Sequence, residues 1–251
     1  MLIAAATAAL GLSALAAPAP HAIAQLSEAD GITLAATPTP TPARAAATKA
    51  SSYRFSSLLD GQPVRWNPCA PLHWRSNTAR GPAGGLAVLK ESVARIGQLT
   101  GTTWVYDGTS TAAPNTAYLP TTAPTVDKPV LLGWTDATSS DLLRGRPQQV
   151  LAMTRTVWFG MDDGAGHRAA AIRAAVVALD RTDKLPLRGA TSWSATTLHE
   201  LGHVMGLDHP SDAQQLMAAT LPRGVSDLQA GDRTGLTKLG RAAGCVVIPG
   251  A

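Results

Sequence analysis

The 251-residue chain carries 21 basic and 17 acidic side chains, a net charge of +4, with 45% of its residues hydrophobic. That length and apolar share suffice for one sizeable folded domain with appendages. The basic residues form no runs and do not interleave with aromatics, which sets aside nucleic-acid binding, and no stretch beyond the N-terminus is long and apolar enough to cross a membrane.

Residues 2–17, LIAAATAALGLSALAA, form an apolar run followed by small-residue cleavage patterns, of which Ala22-Ile23-Ala24 is the best placed. The expectation is a signal peptide over residues 1–24 and a secreted or extracellular protein. Thr-Pro repeats at 37–42 and an Ala/Thr/Ser stretch from Ala45 to Ser52 follow. Such composition cannot bury enough apolar surface to fold, so 25–52 reads as a linker or stalk, and the domain is expected to begin near Tyr53.

Val64–Trp74 has the β-branched and aromatic content of a strand, made an edge or interrupted one by Pro68 and Pro71. Leu86, Leu89, Val93 and Ile96 recur at three- and four-residue spacing, which predicts a helix between Pro82 and Leu99 that stops at Gly101. Short strands are predicted at Thr102–Tyr106 and Val130–Trp134, separated by a Thr/Pro/Ala-rich surface loop at 108–128. Two more, Val150–Phe159 and Ala170–Leu179, flank Met161-Asp162-Asp163-Gly164-Ala165-Gly166, a turn-rich connection. Asp162 and Asp163 offer oxygen ligands to calcium, with a solvated turn as the plainer reading. The order strand, helix, several strands and a second helix near the end gives the fold class α+β.

Thr191-Ser192-Trp193-Ser194 supplies hydroxyl caps for that second helix, which carries His199-Glu200-Leu201-Gly202-His203 and continues through Val204-Met205-Gly206-Leu207-Asp208-His209. On a helix His199 and His203 stand one turn apart on one face, where both imidazoles reach one metal ion. Glu200 follows the first ligand, as a general base beside an open coordination position would. His209 lies too far along to be reached by continuing the helix, so the chain must turn, and Gly206 is placed to take the left-handed conformation that ends it. Three imidazoles with one open position describe a catalytic rather than a structural zinc site.

This stretch resembles the HExxHxxGxxH signature of the metzincin zinc endopeptidases, and its wording is most similar to the matrixin branch as found in secreted bacterial enzymes. Met217, eight residues past His209, resembles the methionine that forms an apolar floor under the metal in that family. Residues 227–240, DLQAGDRTGLTKLG, resemble the closing matrixin helix, here with a Ser226/Gln229 capping box. The resemblance implies a mixed twisted sheet of about four to five strands with a long helix and an active-site helix, then a small C-terminal subdomain ending in a helix, together with a single zinc ion and hydrolysis of peptide bonds in protein or peptide substrates. His199, His203 and His209 would be its ligands and Glu200 the base, with Gly206 and Met217 supporting the site. His73 and His167 are the other histidines downstream of residue 53, too few for a second zinc cluster, and Pro210 is closer to the serralysin pattern. Asp208 reads equally as a support for the site or as an exposed loop residue, Trp193 as a packing residue. The loop 218–225 is expected to shape the pocket after the scissile bond.

In an exported protein Cys69 and Cys245 are expected to pair, tying the two ends of the domain. The alternative, Cys69 ligating zinc as a latency switch, fits poorly with Asn67-Pro68-Cys69-Ala70-Pro71, which lacks the glycine such a switch carries, and would strand Cys245. A monomer is expected. A non-catalytic zinc-containing binding module and a non-peptidase zinc hydrolase stand as the competing functions.

Overall fold

The computed structural model describes residues 21–28, 32–34, 50–162 and 168–247. Strands β1 (His21–Glu28) and β2 (Ile32–Leu34) come first, followed by the two-residue strands β3 (Arg54–Phe55), β4 (Leu58–Leu59) and β5 (Gln62–Pro63). Next are β6 (Leu72–Asn77), helix α1 (Gly85–Thr100), β7 (Trp104–Thr109), β8 (Val130–Thr135), β9 (Val150–Asp162) and β10 (Arg168–Asp180). Helix α2 (Trp193–Met205), β11 (Leu207–Asp208), β12 (Thr220–Leu221) and helix α3 (Ala230–Leu239) complete the order.

The main sheet runs β12-β2-β9-β10-β8-β6-β7, with β1 also on the edge of β9. Strands β6 to β10 are the mixed sheet expected from the sequence: β7, β6, β8 and β10 pair in parallel and β9 joins antiparallel. Both faces are covered. Val130, Leu132, Ala175, Val177 and Leu179 pack with α1 and α2, while their chain neighbours Leu131, Val176 and Ala178 pack with Leu119, Leu142 and Leu143 on the opposite side. The period-two alternation therefore buries every residue of β8, as a parallel strand between two layers requires.

α1 ends as expected, with Gly101 at φ 67. Three readings are corrected. The predicted strand Val64–Trp74 begins only at Leu72, since Pro68 and Pro71 deny ladder donors; upstream, one bridge joins Arg65 to Ala171. Buried Trp66 instead donates its indole N–H to the Val204 carbonyl, 2.7 Å away, pinning the end of α2. The capping box of α3 is Gln229/Asp232 rather than Ser226/Gln229.

The third correction concerns the start of the sheet. Pairing begins well before Tyr53: β1 lies antiparallel along β9 from Asp162 to Arg155, and β2 continues along the same edge to Val150. Backbone pairing to a strand edge needs no apolar run, which is why composition placed 21–24 in the signal peptide and 25–28 and 32–34 in the linker. Residues 1–20 of the expected signal peptide, and most of the expected linker between 35 and 49, lie outside the described residues.

The N-terminal and C-terminal segments meet at close range. An added Cβ on Gly231 would stand 2.1 Å from the Ser52 carbonyl, and one on Gly235 2.7 Å from Leu207 and 3.0 Å from Tyr53. Glycine at these two positions of α3 lets the helix approach this chain crossing. Cys69 and Cys245 form a disulfide, with Cα atoms 5.4 Å apart.

Candidate metal centre

α2 starts at Ser192, whose hydroxyl accepts the Ala195 amide at 3.2 Å. Trp193, next in line, is buried edge-on against Trp134 and contributes packing. Gly206 ends the helix at φ 111, in the left-handed region. Its carbonyl accepts the Ser56 amide at 2.9 Å, and the chain then pairs as β11 with β3, reversing direction. Asp208 takes part in this reversal: it accepts the His209 amide at 2.7 Å and pairs with Arg54 at 3.1 Å. The turn brings His209 back to the helix.

The Nε2 atoms of His199, His203 and His209 lie 3.0–3.2 Å from one another. His199 and His203 are fully buried in effect, His209 partly. The His199 Nδ1 is 2.7 Å from the Leu216 carbonyl, and the His203 Nδ1 is 2.8 Å from the Leu207 carbonyl. A carbonyl only accepts, so each Nδ1 carries the proton and donates it, leaving Nε2 as a bare lone pair. Burial, reinforced by the neighbouring imidazoles, holds His203 down at about 3 and His199 well below its ordinary value, so both rings are neutral. Lone pairs converging at this separation repel each other unless a cation stands among them. This donor set fits a metal ion that accepts imidazole nitrogen.

Glu200 is fully buried beside them. The Thr154 hydroxyl on β9 donates to its Oε2 at 2.6 Å, while Oε1 makes no hydrogen bond of normal geometry. Burial pushes the carboxyl up to about 8, opposed by the Thr154 hydroxyl and by the backbone amide of Ile32. Met217 is buried against the same helix, its Sδ 2.2 Å from where a Cβ on Gly202 would be, so any larger residue there would have to displace the methionine side chain.

Two residues of the site were not singled out in the sequence. Thr154 lies on a strand remote in sequence from α2, and no local pattern marks it. Asp232, at the third position of α3, accepts the amides of Leu216 at 2.8 Å and Met217 at 3.4 Å. It thereby fixes the turn whose carbonyl orients His199. An aspartate three residues into a helix is the signature of its capping role, and that much was available beforehand.

Among the described residues the histidine trio is the one group of three or more potential ligands that converges. His73 instead pairs with Asp107 at 2.8 Å on the surface. Asp162 closes β9, and Asp163 and His167 lie outside the described residues, so the calcium reading finds nothing further there.

A mixed sheet backed by two helices, with a trio of histidines completed across a glycine turn and a buried methionine beneath, defines the metzincin class. The match is narrower still: the family model described as Matrixin covers residues 109–240, more than half of the chain. The chain belongs to the matrixin family of metallopeptidases. No curated protein matches it.

Proposed function

We propose that this chain is an exported zinc-dependent endopeptidase in which His199, His203 and His209 hold the metal and Glu200 is the general base. The observation that carries it is the set of Nε2 lone pairs, fixed by two carbonyl acceptors, next to a buried carboxylate on the same helix. When bound, zinc supplies Lewis-acid polarisation of the scissile carbonyl and acidifies water to a pKa of ~7.

The chain's own residues do the proton work. Glu200, held by Thr154 through Oε2, takes a proton from the attacking water on Oε1 and returns it to the departing amine. A carboxyl raised towards neutrality suits both halves of that task, since a base of ordinary acidity would hold the proton too weakly to carry it. Extended substrate backbone has a template in the edge of β9, which pairs on one side with β10 and on the other with segments of this chain. Export is supported by the apolar run at 2–17 and by the cross-link between Cys69 and Cys245, a bond that persists in oxidising compartments. Among the described residues no helix is long and apolar enough to cross a membrane.

The test is zinc stoichiometry together with cleavage of a mixed peptide library. One zinc per chain is expected in both the wild type and Glu200→Gln, with chelator-sensitive cleavage by the wild type alone, reduced roughly 10²–10⁴-fold in the variant. Zinc bound without any cleavage would establish the binding-module function instead.

A further inference from the structure

One cavity takes no part in the chemistry proposed above. It measures about 610 Å³ and is walled by Phe55, Leu59 and Val64, by Ala169 and Ala170 of β10, and by the segment 242–247 that follows α3. That volume suits a small ligand. The segment is held in three places: by the disulfide at Cys245, by the Val246 amide donating to the Asn67 side-chain oxygen at 3.2 Å, and by the Ala243 carbonyl accepting from Arg65 at 3.1 Å. A wall fixed in this way costs little further ordering when a ligand arrives.

The charges around the cavity do not balance. Arg168 and Asp60 neutralise each other through a two-pronged contact. Arg65 and Lys238 also line it, and neither has a carboxylate partner among the described residues. Arg65 uses Nη2 on the Ala243 carbonyl, while its Nη1 is buried with no hydrogen-bond partner. A buried N–H on a charged group is costly to leave without an acceptor, so this one points to an anion that supplies it. Burial also draws the pKa of the guanidinium below its ordinary value, as a charge without a counter-ion should show. Most of the other walls are aliphatic, and Val247 keeps 79% of its surface exposed, so apolar area remains for a ligand to cover. The complement of aliphatic walls beside two unpaired cations is a ligand both apolar and anionic.

We propose that this cavity binds a carboxylate carried on an apolar chain, the carboxylate meeting Arg65 and Lys238 and the chain lying along the aliphatic walls. A fatty acid and the C-terminal end of an apolar peptide share that chemistry. The inference does not depend on the endopeptidase reading, because no histidine of the cluster lines the cavity. The occupant nevertheless touches the frame of the metal centre. Phe55 pairs with Leu207, whose carbonyl holds His203, and the Val64 carbonyl stands 3.0 Å from where a Cβ on Gly206 would be.

Isothermal titration of the full, zinc-loaded chain with decanoate, and of Glu200→Gln with acetyl-Leu-Val-Val, tests this. At least one probe is expected to saturate a single site per chain, with its uncharged analogue, decanol or the peptide amide, about tenfold weaker or more. Saturation by decanoate alone identifies a fatty acid as the ligand and by the peptide alone a peptide terminus; either result keeps the inference. Arg65→Gln is expected to weaken binding roughly 10- to 100-fold, the contribution of a hydrogen bond to a charged group. Lys238→Met is expected to weaken it roughly two- to fivefold, and Ala242→Phe to fill the cavity and abolish saturation. Lys238 and Ala242 are exposed, so these two variants decide the matter if Arg65→Gln does not fold. No saturation by either probe up to about 1 mM overturns the inference. So does undiminished affinity in folded Arg65→Gln, or in both Lys238→Met and Ala242→Phe, and so does equal affinity for the uncharged analogues. Saturation only after deletion of residues 248–251 overturns it as well, since the chain itself then occupies the cavity.

Discussion

Replacing Thr154 with valine removes the hydroxyl that reaches the Glu200 carboxylate at 2.6 Å and, more distantly, the Glu200 carbonyl at 3.3 Å. The two side chains have the same shape, and Thr154 is 1% exposed, so neither a cavity nor a new surface results. The lost contact that bears on the proposed base is the 2.6 Å bond to Glu200 Oε2, the one hydrogen bond of normal geometry to a carboxylate whose other oxygen has none. A hydrogen bond to a charged group contributes about 1.5–3 kcal/mol. If it holds the ionised carboxylate in the reactive position, its loss raises the barrier by that amount, and at about 1.4 kcal/mol per decade kcat/KM should fall roughly 10- to 100-fold. The assay is hydrolysis of a fluorogenic peptide, with zinc content and thermal unfolding measured on the same samples. Thr154→Ser keeps the hydroxyl and should restore most of the rate, which a purely structural role for the methyl group would not permit. A kcat/KM for Thr154→Val within twofold of wild type, at full zinc occupancy, would refute the assignment.

Removing the disulfide with Cys69→Ser and Cys245→Ser frees a link that spans 176 residues of sequence, for which loop entropy allows about 5 kcal/mol. Because both cysteines are exposed, the midpoint in urea should fall by less than that figure implies, and no change at all would show that the link carries no stability. Gly202→Ala places a methyl group on Met217 Sδ and should cost about 1–3 kcal/mol in thermal unfolding, with weaker zinc retention against a competing chelator. Asp136, buried, has its carboxyl held well below the ordinary value of 3.8 by the Thr138 hydroxyl first, then by Arg181 and Ser139. A lowered folded-state pKa gives stability that is complete above 3.8 and lost as pH falls below it towards the folded value. Asp136→Asn should therefore lower the melting temperature at pH 7 and flatten its decline in acid; an unchanged acid limb would count against the Arg80–Asp136–Arg181 cluster.

What the sequence made legible was local. Spacing of three and four placed α1 and α2, and Gly206 announced a turn because few other residues accept φ 111. The ligands were legible for the same reason: a helix converts the interval between His199 and His203 into a shared face. What stayed hidden depended on partners far away in the chain. Thr154 meets Glu200 only because β9 is the strand under that part of α2, a consequence of sheet order that no window of residues contains. Val64–Trp74 had strand-like side chains, yet Trp66 is used to hold the Val204 carbonyl and the prolines exclude a ladder. Conversely, 21–28 and 32–34 lacked the composition of a packed segment and pair through their backbone, an interaction that composition does not encode.

These distant contacts explain why the histidines converge at all. A helix alone aligns His199 and His203 but leaves each ring free to rotate about χ1 and χ2; rotation is stopped by the Leu216 and Leu207 carbonyls. The Leu207 carbonyl is fixed by the pairing of β11 with β3, and so by the N-terminal part of the domain. The Leu216 carbonyl is fixed by Asp232, whose carboxylate grips the amides of Leu216 and Met217 while Gln215 accepts those of Gly231 and Asp232 in return. That reciprocal pair joins the turn to α3 and sets the height of Met217 under Gly202. The site is therefore a junction of four segments: α2 carries two of the three histidines, and residues 54–56, the turn at 215–217 and the start of α3 hold them in place. Side chains that bind a metal can be exchanged one at a time, whereas this frame has to be assembled whole. The local motif names the chemistry; the frame decides whether three lone pairs meet at one point.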